Sequence, residues 1–242
     1  MTTHLDATAW LEHRYRMPNA ECRIFCFPFA GGSAAFYYEW GPEFGPSTEV
    51  VPVQLPGRGR LAGLPHARDI RPLAYAAADA IATTDLPVVL FGHSMGAIVA
   101  FEVARLLPDV RHLIVTGRPA PHIPRPTTPV SSLSRAELVS LLRDYGATPD
   151  EVLADPELLD LVLPTIRADF AMIERYRYIP SPSLSCPLTA VGGLSDPGVS
   201  PDDITAWGGY TTGPFTTHFL PGGHFFPVSH GPDLRELVRA TL

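Results

Sequence analysis

Lysine is absent from the chain: all 18 cationic residues are arginine, set against 25 carboxylates for a net charge of −7. This balance argues against general affinity for nucleic acid, which needs a basic face to meet the phosphate backbone. Cysteine is scarce. Cys22, Cys26 and Cys186 are odd in number, with no Cys-x-x-Cys pair and no nearby His-x-x-x-His. Neither a disulfide framework nor a structural metal site is indicated, and the three read as small buried hydrophobes. Long apolar runs are missing as well, since none approaches the roughly 18 residues of a membrane span. Residues 1–17 mix acidic and basic side chains where a secretion signal would carry an apolar core. The expectation is a cytoplasmic chain with no metal, no membrane contact and no nucleic-acid partner.

Apolar material is ample: 45% of 242 residues, enough for one large α/β domain spanning 1–242 with an insertion. Residues 23–28, 50–55, 87–91 and 112–116 read as strands, and 34–40, 69–83 and 97–107 as helices. This alternation predicts a mostly parallel central sheet with helices on both faces. The rhythm breaks over 119–187. Pro119, Pro121, Pro124, Pro126 and Pro129 form a stiff connector, and 134–145, 149–154 and 156–176 then read as helices. Ser134 and Glu137 have capping-box spacing. Helices inserted here suggest a lid over a pocket. Most of its apolar residues, among them Leu158, Leu159, Leu161, Val162, Leu163, Phe170 and Met172, are expected to pack onto the sheet, and a few to line the pocket. Charge is uneven: Arg58, Arg60, Arg68 and Arg71 form a short basic segment, either solvated or open to a phosphate or carboxylate, while 137–174 is acidic.

Between the third strand and its helix lies Phe91-Gly92-His93-Ser94-Met95-Gly96, a Gly-x-Ser-x-Gly pentapeptide. It reads as a nucleophile elbow, a sharp strand-to-helix turn where any flanking side chain would collide with a neighbour. A serine hydroxyl is a poor nucleophile at neutral pH. It needs a base, and the base needs a carboxylate to fix its tautomer. Among nine histidines, His224 stands out, in the glycine-rich loop that follows a strand at 216–220. His93 is expected to pack beside the elbow. Asp196 sits in the turn after a strand at 188–191 and completes the Ser-Asp-His chain order, whereas Asp202 and Asp203 lie past Pro201, where they cap or precede a helix. Backbone N–H groups of Met95 and of Ala30, in the turn Phe29-Ala30-Gly31-Gly32-Ser33, suit an oxyanion hole. The local chemistry is acyl transfer to water through an acyl-serine.

Phe27-Pro28-Phe29-Ala30-Gly31-Gly32-Ser33, Leu55-Pro56-Gly57-Arg58, the elbow, Ile166-Arg167-Ala168-Asp169-Phe170 and Pro221-Gly222-Gly223-His224-Phe225-Phe226 occur in this order. Together they resemble the type II, or external, thioesterases of polyketide and nonribosomal-peptide synthesis, members of the α/β-hydrolase superfamily. The resemblance implies hydrolysis of acyl groups from the phosphopantetheine arm of acyl or peptidyl carrier proteins, clearing stalled or misprimed synthases. It implies Ser94 as nucleophile, His224 as base, Asp196 as acid and Ala30 and Met95 as oxyanion donors, in a monomer with no cofactor. The acid loop departs from the family pattern, since Gly193-Leu194-Ser195-Asp196 offers one carboxylate. Alternatives on the same residues are a general carboxylesterase or lipase and a medium-chain fatty acyl thioesterase. A noncatalytic carrier-binding scaffold would show a damaged triad, which this sequence does not.

Overall fold

The computed structural model describes residues 7–124 and 129–242, so the expectations on residues 1–6 and on Pro126 lie outside the described residues. Six strands, β1 (Cys22–Phe27), β2 (Thr48–Pro52), β3 (Val88–His93), β4 (His112–Thr116), β5 (Leu188–Gly193) and β6 (Phe215–Leu220), form one sheet in the order β2-β1-β3-β4-β5-β6. All five pairings are parallel. Successive side chains of a strand point to opposite faces, and the cores follow that alternation. Phe25, Phe27, Leu90, Leu113, Val115, Leu188 and Ala190 join one cluster, with helices α2 (Ile70–Ile81) and α3 (Met95–Ala104). Ile24, Cys26, Val89, Phe91, Ile114 and Val191 join another, with Tyr37, Trp40 and the C-terminal helix. Helices therefore cover both faces, and parallel strands read as continuous apolar runs because both sides are buried. All three cysteines are buried and free.

Where 34–40 reads as one helix, the chain forms a 3₁₀ turn at Ala34–Tyr37 and then the short α1 (Trp40–Glu43). Pro42 lacks the N–H that a continuous helix would use. Tyr37 instead stands under the sheet's end, its hydroxyl donating to the Phe27 carbonyl at 2.9 Å. Strand β2 begins two residues before the expected 50–55. Glu49, 2% exposed, is buried there by ion pairs with Arg23 at 2.9 Å and His13 at 2.7 Å. Burial pushes its carboxyl upward, but those two partners outweigh it and hold the group below the usual range.

The inserted helices are α4 (Arg135–Tyr145), α5 (Asp150–Ala154) and the 20-residue α6 (Pro156–Arg175). Ser134 and Glu137 form the reciprocal capping box. The apolar residues of these inserted helices do not mostly pack onto the sheet. Leu138, Leu142, Leu153, Leu159, Leu163 and Ile166 make a separate core among the three helices, Leu158 and Leu161 are exposed, and Met172 and Ile173 reach the sheet's core. The reason is geometric: α6 is long enough that its first half overhangs the sheet and must find its own partners. Then come α7 (Pro201–Thr205), α8 (Phe226–Ser229) and α9 (Gly231–Ala240). Ser200 and Asp203 cap α7 reciprocally, which accounts for that carboxylate.

Candidate active site

The chain leaves β1 toward β2 on one side and β3 toward β4 on the other, so a crevice opens at the carboxyl ends of these adjacent strands. Ser94 stands at the end of β3 with φ 53° and ψ −113°, the one non-glycine with positive φ among the described residues. Its N–H donates to the Thr116 carbonyl at 2.8 Å. A Cβ at position 92 would lie 2.1 Å from the Gly96 carbonyl oxygen, and one at position 96 the same distance from that of Phe27. These clashes give the pentapeptide its glycines.

His224 links the two other candidate residues. Its Nδ1 is 2.7 Å from Asp196 Oδ2 and its Nε2 is 3.0 Å from Ser94 Oγ. Asp196, 2% exposed at its side chain, also accepts from the Gly198 N–H at 2.9 Å. With the carboxylate accepting from Nδ1, the imidazole presents a bare Nε2 to the serine. The acid and base loops interlock: Ser195 N–H donates to the Gly222 carbonyl, and a Cβ at position 193 would sit 2.4 Å from the Gly223 carbonyl oxygen. That contact defines the shape of the acid loop.

His93 packs beside the elbow as expected. Fully buried, it places Nδ1 2.9 Å from Thr116 Oγ1 and its ring 5.2 Å from that of His224. Burial, reinforced by His224, holds His93 well below the usual histidine range, so it is neutral.

Ala30 and Met95 both line the cavity beside Ser94. Phe29-Ala30-Gly31-Gly32 forms a tight turn, closed by Gly32 N–H on the Phe29 carbonyl at 2.9 Å, with Gly31 at φ +79°. Neither of the turn's next two polar groups is left to water. Gly31 N–H donates to Asp169 Oδ2 at 2.8 Å, and Arg58 donates to the Gly32 carbonyl at 2.8 Å. Arg58 and Asp169, 8% and 1% exposed, form a bidentate pair with both contacts at 2.6 Å. Arg58 is therefore neither solvated nor free for a ligand, because it meets a carboxylate of its own chain. Sequence reading missed the pair. The available signal was Asp169 itself, a carboxylate on the same helical face as Ile166, Phe170 and Ile173.

A cavity of about 390 Å³ opens from Ser94 beneath the inserted helices. Val152, Val162, Ile166 and Phe170 give it apolar walls, and Glu174 and Arg118 contribute polar groups. Tyr145, at the end of α4, lies 5.4 Å from the His224 ring. Val162 and Phe170 are among the inserted apolar residues from which a few are expected to line the pocket, and Ile166 and Phe170 lie in the 166–170 motif, whereas Arg118, Tyr145, Val152 and Glu174 carry no signal in the sequence.

A six-stranded parallel sheet, covered on both faces and carrying a strained serine on its third strand, is an α/β-hydrolase fold. The chain belongs to the thioesterase family, whose domain it matches over residues 22–242. It is similar to the type II thioesterase BorB from the borrelidin biosynthetic cluster, with 39% identity over 99% of both chains and a TM-score of 0.88. It is 36% identical to Thioesterase PikA5 of Streptomyces venezuelae, over 92% of this chain and 82% of that one. It is 37% identical to Linear gramicidin dehydrogenase LgrE of Brevibacillus parabrevis, over 99% and 95%. The activity of this family is thioester hydrolysis. Among the described residues no helix is long and apolar enough to cross a membrane.

Proposed function

We propose that Ser94, His224 and Asp196 hydrolyse acyl thioesters carried on the phosphopantetheine arm of acyl or peptidyl carrier proteins, releasing stalled or wrongly loaded groups from polyketide or nonribosomal-peptide synthases. The observation that carries this reading is the unbroken hydrogen-bond chain from Asp196 through His224 to Ser94 at the floor of a mostly apolar cavity. Ser94 Oγ attacks the thioester carbonyl carbon while its proton passes to His224 Nε2. The carbonyl oxygen takes the negative charge and accepts from the Ala30 and Met95 N–H groups, each such donor contributing about a hundred- to a thousandfold in rate. Collapse expels the arm's sulfur, which takes the proton from His224. Water, deprotonated by the same imidazole, then attacks the acyl-serine and frees the carboxylic acid and Ser94. Asp196 stabilises the imidazolium throughout.

The reading treats 1–242 as one domain, acting as a cytoplasmic monomer, in which 119–187 supply the connector and the lid that encloses the acyl chain. The separate core of α4 to α6 and their contribution to the cavity wall support that role. The dehydrogenase activity in the name of LgrE is not carried over. The stretch here with Gly-x-Gly spacing, Gly57-Arg58-Gly59, opens a three-residue 3₁₀ turn rather than a helix, and its arginine is committed to Asp169. The test is mass spectrometry of acylated carrier proteins before and after incubation. Loss of the acyl group is expected, and retention across a panel of short acyl chains would overturn the reading. An oxygen ester turned over with a much higher kcat/KM than its matched thioester would favour a carboxylesterase instead.

A further inference from the structure

A second concavity, of about 450 Å³, adjoins the acyl cavity, and Ser33 lines both. Its chemistry differs from that of its neighbour. Arg14, Arg60 and His13 line it, along with the polar side chains of Tyr38 and Gln54. One carboxylate, Glu12, reaches the same space, and it is already engaged by the Tyr38 hydroxyl and by Arg60 at 3.6 Å. Arg60 is fixed further by donating to the Leu11 carbonyl at 2.6 Å. Arg14 forms no ion pair among the described residues, and its guanidinium lies 4.3 Å over the Tyr38 ring. Ser33 occupies an N-cap position yet its hydroxyl caps nothing. The concavity thus presents two held guanidinium groups and an unused hydroxyl, which suits a phosphate.

We infer that this concavity receives the phosphate of the pantetheine arm, with Arg14, Arg60 and Ser33 Oγ as donors. The inference rests on the thioesterase reading above. A pantetheine arm carries its thioester at one end and its phosphate at the other, so a thioester seated at Ser94 leaves the phosphate outside the acyl cavity. Ser33 marks where the two spaces meet. A phosphate bound there contributes to holding the substrate but not to the chemical step, so it acts on KM and leaves kcat alone. The arm ends in this phosphate both on a carrier protein, as a diester, and in coenzyme A, as half of a diphosphate, and the site would take either.

The test compares substrates that share one acyl group. Acyl-phosphopantetheine is expected to have a lower KM than acyl-pantetheine at equal kcat. Arg14→Gln, a change at an exposed side chain, should raise the KM for the phosphorylated substrate about two- to fivefold and leave acyl-pantetheine unchanged. Arg60→Gln should act in the same direction. Raising the salt should shrink the difference between the two substrates, because exposed charges are screened. Acyl-coenzyme A and acyl-carrier protein separate the sources: an Arg14→Gln effect on both supports a site for the shared phosphate, and an effect on the carrier substrate alone assigns it to the protein-bound arm. Equal KM values for the two small substrates in the wild type, or an equal Arg14→Gln loss on both, would overturn the site while leaving thioester hydrolysis standing. Failure of the wild type to turn over either would instead overturn the hydrolase reading.

Discussion

Ser94 holds a backbone conformation that costs an L-residue about 1–3 kcal/mol, retained because the glycines around it admit no alternative packing. Removing the hydroxyl leaves that turn intact. Ser94→Ala is therefore expected to lower kcat by about four orders of magnitude or more with an unchanged Tm, and intact-protein mass spectra should show no acyl-enzyme. Asp196→Asn should cost about 10⁴ in kcat while the protein stays folded, because an amide donating to Nδ1 leaves the wrong imidazole nitrogen protonated. Steady-state kinetics on one acyl-carrier substrate checks both. The three side chains of this hydrogen-bonded chain share one signal in the sequence: each follows a strand in a loop of small residues, at the carboxyl end of the sheet. Arg58 and Asp169 were not legible as partners. They lie 111 residues apart, and only the packing of α6 against the β1 turn brings them together.

At the scale of elements, the sequence specified the parallel sheet and the long helices, whose apolar periodicity is set locally. It did not show what α4 to α6 pack against, because a helix with one apolar stripe fits a sheet or another helix equally well. The Arg58–Asp169 pair joins these layers. Asp169→Asn should cost about 3–5 kcal/mol in stability, since it strands a buried guanidinium. Arg58→Met combined with Asp169→Leu should recover part of that loss, since it removes both charges but leaves the Gly31 N–H and the Gly32 carbonyl without their side-chain partners. Urea denaturation of both variants measures the difference, and a double variant less stable than the single would count against a burial penalty. The separate core of the inserted helices makes a further prediction. Leu138→Ala, at a fully buried position, should cost about 2–5 kcal/mol locally. Hydrogen exchange should then quicken in α4 and α5 before it changes in β3 and β4.

For the whole molecule, burial keeps His93 and His112 below their usual range, with the neighbouring His224 adding to the effect on His93. In the unfolded chain each takes up a proton near pH 6.5, whereas the native state resists it. The unfolded state therefore binds more protons below that pH, and stability falls as pH drops from about 7 toward 5. Above pH 7 both states hold these rings neutral and the contribution vanishes. For His93 the slope approaches about 1.4 kcal/mol per pH unit. Thermal melts between pH 5 and pH 8 should show the decline, and His93→Asn should make it shallower; a steeper decline in the variant would contradict the assignment.

Helix α6 contains Pro164, whose ring nitrogen cannot donate to the Asp160 carbonyl one turn back. After that break several side chains are fastened to the sheet side: Ile166 presses on Gly31, Asp169 grips the turn and Arg58, and Met172 enters the core. What precedes it touches mainly the other inserted helices. The rear of α6 is thus riveted to the turn that follows β1, so a substitution that loosens Asp169 or Ile166 also disturbs the backbone beside Ser94.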